Sequence, residues 1–311
     1  MHLAALREKI DVVPVAAPVS SPAPESGAMV RLLTCGSVDD GKSTLIGRLL
    51  WDSAAVAEDQ RAAVVHASQN RALNGEKVDF SLLLDGLQAE REQGITIDIA
   101  WRYFETAYRR FVIIDAPGHE QYTRNMATGA SHADAAILLV DARHGVKRQT
   151  RRHAAICDLV GIKKVILAVN KMDLIDWSER TFRAIEEDFR VLAGNFAFAQ
   201  IAAIPVAALP GDNVVRRSSV MPWYSGPTLL DYLEAVDTNV EQRDAPLRFP
   251  VQLVLRHGDF RGYAGTVASG RIRPGDRLVD ARTGLGALVR SITTMDGDLA
   301  FAAKEIGRAH V

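Results

Sequence analysis

Residues Gly36, Ser37, Val38, Asp39, Asp40, Gly41, Lys42, Ser43 and Thr44 read G-x-x-x-x-G-K-S-T. An apolar run, 30–35, precedes them and an amphipathic stretch follows, so the motif sits between a strand and a helix, the context a phosphate-binding loop requires. Glycines let the backbone curl until its N–H groups face phosphate oxygens, and the helix N-terminus adds partial positive charge. Lys42 would reach the β and γ phosphates, and the Ser43 hydroxyl would bind Mg²⁺. Further along, Asp115-Ala116-Pro117-Gly118-His119 follows the apolar run 111–114. An acid at the end of a buried strand can hold that Mg²⁺ directly or through water. Gly118 can offer its N–H to the γ-phosphate because no side chain blocks approach. Asn170-Lys171-Met172-Asp173 ends a third apolar run, 165–169. The Asp173 carboxylate can accept both N1–H and the N2 amine of guanine, whereas adenine presents an acceptor at N1 and no N2 amine. Alone, Asp173 would read as a helix N-cap; order and spacing favour the base. Asn170 would contact the base edge or brace the phosphate loop, and the Lys171 stem can lie over the base plane. Thr96, in Gln93-Gly94-Ile95-Thr96-Ile97, could bind Mg²⁺ and the γ-phosphate from a mobile segment, or simply open a strand. Together these segments predict a site for GTP with Mg²⁺.

Elements of the right type must hold those loops. From residue 30 the chain alternates apolar strands, near 30–35, 96–104, 109–115, 135–141, 164–170 and 201–206, with helices near 43–51, 119–128, 147–160, 178–193 and 227–236. That is an α/β fold: a P-loop GTPase domain with a mostly parallel, doubly wound sheet, spanning 29–240. The second and third strands are close enough to form an antiparallel hairpin at one edge. All the motifs fall just past strand carboxyl ends, where such sheets bind ligands. A long connection, 52–95, contains helical-looking stretches at 54–68 and 82–90 and is the expected first switch region. Past a polar stretch the pattern changes to short strands near 249–256, 263–269, 277–280 and 288–294, broken by glycine turns. This predicts a small β-barrel domain, left incomplete over 246–305.

The chain has 311 residues, 48% hydrophobic and 24% charged, which suits a globular protein of about two domains. Its formal net charge of −1 argues against a dominant affinity for nucleic acid or membrane. The longest apolar runs, such as 135–140, are strand-length, and no membrane span is expected. Two cysteines, Cys35 and Cys157, both in apolar surroundings, suit a reducing cytoplasm and buried thiols. Residues 1–28, with Pro14, Pro18, Pro22 and Pro24, read as a disordered leader rather than a signal peptide.

With these residues the chain resembles the translation-factor-type GTPases and, within them, the large GTP-binding subunits of bacterial sulfate adenylyltransferase. The stretches that carry the likeness are 36–44, 84–98, 221–228 (Met-Pro-Trp-Tyr-Ser-Gly-Pro-Thr) and 259–265 (Asp-Phe-Arg-Gly-Tyr-Ala-Gly). Elongation factors match less well: they typically carry His where Asp40 stands, Thr where Ser43 stands and Arg where Gln93 stands. The resemblance implies a smaller catalytic subunit that forms adenylyl sulfate from ATP and sulfate, driven by GTP hydrolysis on this chain, in a heterodimer or larger assembly. It implies that His119 orients the attacking water, with Val38 and Ile95 gating it. It also implies a last guanine-contact loop at Ala207-Ala208-Leu209, where relatives usually carry Ser-Ala-Leu. A hydroxyl that would brace Asp173 is thus missing, at a cost of about 1 kcal/mol if one hydrogen bond is lost. The alternative is an elongation-type carrier of aminoacyl-tRNA. Finally, residues 306–311, Ile-Gly-Arg-Ala-His-Val, match a translated sequencing-adapter sequence and are expected to be a foreign tail on a fragment.

Overall fold

The computed structural model describes residues 29–53, 56–71, 78–84, 98–237, 245–257, 260–294, 297–303 and 309–310. The expected leader, Thr96, Ile95 and most of the second helical stretch of the first switch region lie outside them. The chain divides into two compact units, Met1–Val236 and Asp237–Val311.

The first unit is built on a six-stranded sheet of order β2-β3-β1-β4-β5-β6. Its strands are β1 (Met29–Cys35), β2 (Ala100–Glu105), β3 (Arg110–Asp115), β4 (Ala135–Asp141), β5 (Lys164–Asn170) and β6 (Gln200–Pro205). Only β2 runs antiparallel, paired to β3 from Ala100↔Asp115 to Glu105↔Arg110. The turn between them is closed by the Thr106 hydroxyl, which accepts the backbone N–H groups of Tyr108 and Arg109. This is the expected edge hairpin, although β2 starts at Ala100. β4 is buried at every one of its seven positions, as a parallel strand covered on both faces must be, and its unbroken Ala-Ala-Ile-Leu-Leu-Val run follows from that.

Helices α1 (Lys42–Asp52), α3 (Thr123–Ala130), α4 (Arg148–Leu159), α5 (Glu179–Ala193) and α6 (Leu229–Ala235) accompany the sheet, and α2 (Glu58–Arg71) lies in the long insertion. On α5, Phe182, Ile185, Phe189 and Ala193 are buried, one stripe at helical spacing. Thr228 and Asp231 form a reciprocal capping box that starts α6. The expected helix at 119–128 begins later, because Glu120–Tyr122 form a tighter single turn before α3. The insertion returns to α1 through a short helical turn, Phe80–Leu83, whose Phe80 is buried. Gly47 makes this docking possible: a Cβ there would lie 2.1 Å from the Phe80 carbonyl oxygen. Trp51 meets the Phe80 ring edge-on at 5.6 Å, and the Arg48 guanidinium lies 5.0 Å from its centre.

The second unit holds nine short strands among its described residues, from β7 (Val251–His257) and β8 (Phe260–Gly265) through β9 (Arg271–Ile272), β10 (Arg277–Val279), β11 (Gly286–Leu288), β12 (Thr293–Thr294), β13 (Gly297–Asp298) and β14 (Ala302–Ala303) to β15 (Ala309–His310). They pair as β13-β12-β15-β8-β7, β10-β11 and β14-β9, around a small core of Val267, Ile272, Val289, Ile292 and Ala302. The sequence suggests four longer strands. The strand expected over 263–269 stops at Gly265, where a Cβ would lie 2.2 Å from the Pro250 carbonyl oxygen. Ala309 and His310, within the expected foreign tail, pair with Gly265 and Ala264.

Candidate functional site: a nucleotide pocket at the strand ends

β1 delivers the chain into a turn that only its own residues allow. Asp39 and Gly41 both take left-handed backbone, with φ of 71° and 88°. A Cβ on Gly41 would lie 2.4 Å from Asn170 Nδ2, and one on Gly36 would lie 3.0 Å from both the Cβ and the carbonyl oxygen of Leu139. Asp40 closes the turn on itself. Its buried carboxylate accepts the Ser37 N–H at 2.6 Å, and Lys147 Nζ stands 3.7 Å away. Val38, Ser43 and Thr44 are half-buried around this turn, Ser43 and Thr44 in the first turn of α1.

Lys42 is 8% exposed, and its ammonium donates to the carbonyls of Gly36 and Ser37, both at 3.2 Å. Burial lowers its pKa, against the opposing pull of the Asp115 and Asp40 carboxylates. The ammonium is therefore a concentrated charge hung on the loop's own carbonyls. Gly118 packs against the same place: a Cβ there would lie 2.5 Å from Lys42 Nζ and 2.6 Å from the Gly36 carbonyl oxygen. Asp115 ends β3, is 3% exposed and accepts the Thr34 hydroxyl at 3.3 Å.

On the base side, Asn170 ties two loops together. Its Nδ2 donates to the Asp40 carbonyl at 2.9 Å, and its Oδ1 accepts the Ala208 N–H at 3.0 Å. Of the two roles open to it in sequence, the structure has its amide bracing the phosphate loop. Lys171, in left-handed backbone with φ of 62°, donates to the Asp39 carbonyl and lies 3.1 Å from Asp141 Oδ2. Asp173 is half-buried in the first turn of a short helix, Met172–Ile175. Ala207 and Ala208 are buried, and the Leu209 carbonyl accepts from Arg48 Nη1 at 3.1 Å. The described residues of the sequence-predicted site thus follow the carboxyl ends of β1, β3, β5 and β6, with Lys42, Asn170 and Lys171 making the links within and between their loops; Thr96 lies outside the described residues.

His119 is exposed, in extended backbone, and caps the turn at Glu120–Tyr122 by accepting the Gln121 N–H at Nδ1, 3.3 Å away. The Gly118 carbonyl just before it accepts from Gln149 Nε2 at 3.2 Å, and that same amide nitrogen lies 3.0 Å from His153 Nε2. Gln149 and His153, one turn apart on α4, escape sequence reasoning, as do Asp141 and Arg143. Asp141 alone carried a signal, an acid terminating an apolar run just as Asp115 does.

His153 is 1% exposed. Burial, then the charges of Lys42 and Arg152, push its pKa down to about 3. The folded protein thus refuses a proton that the unfolded chain takes up below about pH 6.5, so stability falls as pH drops through that window. At pH 5 the loss amounts to about 2 kcal/mol from this residue. Denaturant unfolding at pH 7 and pH 5 checks it: His153→Asn should show a smaller acid destabilisation than the parent, and equal pH dependence in the two would refute the assignment.

The match to known proteins agrees with this geometry. Residues 28–242 match the family model described as "Elongation factor Tu GTP binding domain". The bifunctional enzyme NodQ of Rhizobium tropici is 55% identical over 281 residues, 90% of this chain and 44% of that protein. Sulfate adenylyltransferase subunit 1 of Colwellia psychrerythraea is 53% identical over 281 residues, 90% of this chain and 60% of the relative. The chain thus spans about half the length of the curated relatives it matches. Among solved structures, the Ski7 GTPase-like domain of S. cerevisiae bound to GTP shares the fold, with a TM-score of 0.58 at 21% identity over 92% of this chain and 70% of that one. No helix among the described residues is long and apolar enough to cross a membrane. Matched over residues 28–242, and with Asn170 tying the loop after β1 to the loop after β6, this chain belongs to the elongation factor Tu GTP binding domain family, and it is a GTP-binding protein.

Proposed function

We propose that this chain hydrolyses GTP as the large subunit of a sulfate adenylyltransferase, coupling that hydrolysis to formation of adenylyl sulfate from ATP and sulfate on a smaller catalytic subunit. The observation that carries the reading is the 53–55% identity to a sulfate adenylyltransferase subunit 1 and to NodQ. Asp40 supports it too: its carboxylate holds the phosphate loop through the Ser37 N–H, a position where elongation factors typically carry His.

In this reading Gly36 to Thr44 and Gly118 surround the phosphates, Asp173 reads guanine beside Ala207, Ala208 and Leu209, and His119 orients the attacking water. Ser43, Thr96 and Asp115 would hold Mg²⁺, Asp115 directly or through water. Their hydroxyl and carboxylate oxygens are the hard donors that ion takes, and Asp115 is a buried carboxylate beside Lys42. An ion held by these residues would supply positive charge to offset that of the phosphates. Lys42, already desolvated, supplies a second positive charge at the same oxygens, and the Gln149 amide fixes the Gly118 carbonyl from which His119 projects. Two buried free thiols, Cys35 and Cys157, fit a cytoplasmic setting.

The test is GTP turnover by the chain with and without a co-expressed small subunit, scored beside adenylyl sulfate formation. Slow turnover alone, with stimulation by the small subunit and GTP-dependent adenylyl sulfate, is the expected result. Adenylyl sulfate formation indifferent to GTP would reject the proposal, and co-purification of aminoacyl-tRNA with the GTP form would favour the carrier reading.

A further inference from the structure

Asp141 ends β4 and touches the site through Lys171 with no role yet assigned to it, and its carboxylate is engaged at both oxygens. Its side chain is 1% exposed. Oδ1 accepts the Arg143 backbone N–H at 2.9 Å and Arg143 Nε at 3.0 Å. Oδ2 accepts from Arg143 Nη2 at 2.7 Å and lies 3.1 Å from Lys171 Nζ. The guanidinium thus grips both oxygens in the forked arrangement that fixes a carboxylate's plane, leaving one lone-pair direction for the lysine.

Lys171 is the more informative partner. It leaves the base-side loop in left-handed backbone, and its ammonium has two acceptors on different elements, Asp141 at the end of β4 and the Asp39 carbonyl at the tip of the phosphate loop. The stem between must therefore stretch across the gap from base loop to phosphate loop. Its neighbour Asn170 makes the parallel link, to the Asp40 carbonyl. A lone carbonyl is a weak anchor for a flexible four-carbon stem, whereas a buried anion held by an arginine is a strong one. Burial would push the Asp141 carboxyl up; the hydrogen bonds from Arg143 and Lys171 outweigh it and hold the group well below the usual carboxylate range, so the anchor stays charged.

We infer that Asp141, clamped by Arg143, is a positioning residue for the guanine nucleotide: it fixes Lys171 as a strap between the base loop and the phosphate loop, and thereby sets how slowly the nucleotide leaves. The inference rests on the Lys171 stem lying along the bound base, as read from the sequence. No other charged acceptor within reach of the Lys171 ammonium is recorded among the described residues.

Release of methylanthraniloyl-labelled GDP from the full chain, chased with unlabelled GDP, tests it. Asp141→Asn keeps the shape and removes the charge; it should speed release by about tenfold, the scale of one charge-assisted hydrogen bond. Arg143→Ala should speed it less. Lys171→Ala should release at least as fast as Asp141→Asn, and the double variant no faster than Lys171→Ala alone, because both changes cut the same strap. A merely structural Asp141 would lower the melting temperature and leave release within twofold, or would add to Lys171→Ala; either result overturns the strap. Should Asp141→Asn fail to fold, Arg143→Ala carries the decision, and unchanged release there has the same meaning. A parent chain that does not retain labelled GDP would overturn the nucleotide reading along with the strap, whereas retention with unchanged variants overturns the strap alone.

Discussion

Asp173→Asn is expected to lower GTP affinity by about 10³-fold or more and to transfer preference to xanthosine triphosphate. In the proposed site the wild-type carboxylate, a pure acceptor, would face two donors, N1–H and the N2 amine. The amide offers one acceptor and one donor, so its NH₂ meets the N2 amine donor to donor, and a hydrogen bond to charge is lost at the same time. Xanthine replaces that amine by a carbonyl and restores the match. Asp173 is half-buried in the short helix Met172–Ile175, directly after the fully buried Met172, and the swap to an amide of the same shape should leave the fold intact. Competition against labelled GDP by GTP, ATP and xanthosine triphosphate measures it. Undiminished preference of the variant for GTP would place the base elsewhere.

His119→Ala is expected to lower partner-stimulated GTP turnover by about 10²-fold or more while leaving GTP affinity nearly intact, since a group that orients water acts mainly in the transition state. The structure makes this a clean experiment. His119 is exposed; among the described residues its recorded side-chain hydrogen bond is the one to the Gln121 N–H and its ring centre lies 6.0 Å from that of Tyr122, so the substitution removes a cap, worth about 1 kcal/mol, and one ring contact. A large drop in turnover could not then be assigned to unfolding. Single-turnover hydrolysis with the small subunit present is the measurement, and stimulated turnover at the parent level would return His119 to a capping role.

The strand-and-loop order of the first unit was legible because each signal is local. The all-apolar runs of β3, β4 and β5 admit only doubly covered strands, and Gly36, Gly41 and Lys42 specify a phosphate turn by their own backbone freedom and charge. The second unit was less legible. Its strands are two to seven residues long, and seven of the nine have only two or three residues, too few for alternation to show.

By itself the sequence determined the parallel sheet, and it named the residues proposed to act at its strand ends: a triphosphate loop at Gly36 to Thr44, an acid at Asp115 and a guanine-matched acid at Asp173. Those are properties of residue type and near-neighbour spacing. Tertiary structure alone decided how the pieces hold one another. Asn170 bonds the Asp40 carbonyl and Ala208, Lys171 spans from Asp39 to Asp141, Gln149 reaches Gly118, and Gly47 admits Phe80. Partners so far apart along the chain leave no periodicity to read. They are specified only when the sheet fixes strand ends side by side, and a hydrogen bond of about 3 Å then selects one side chain among many that composition would allow.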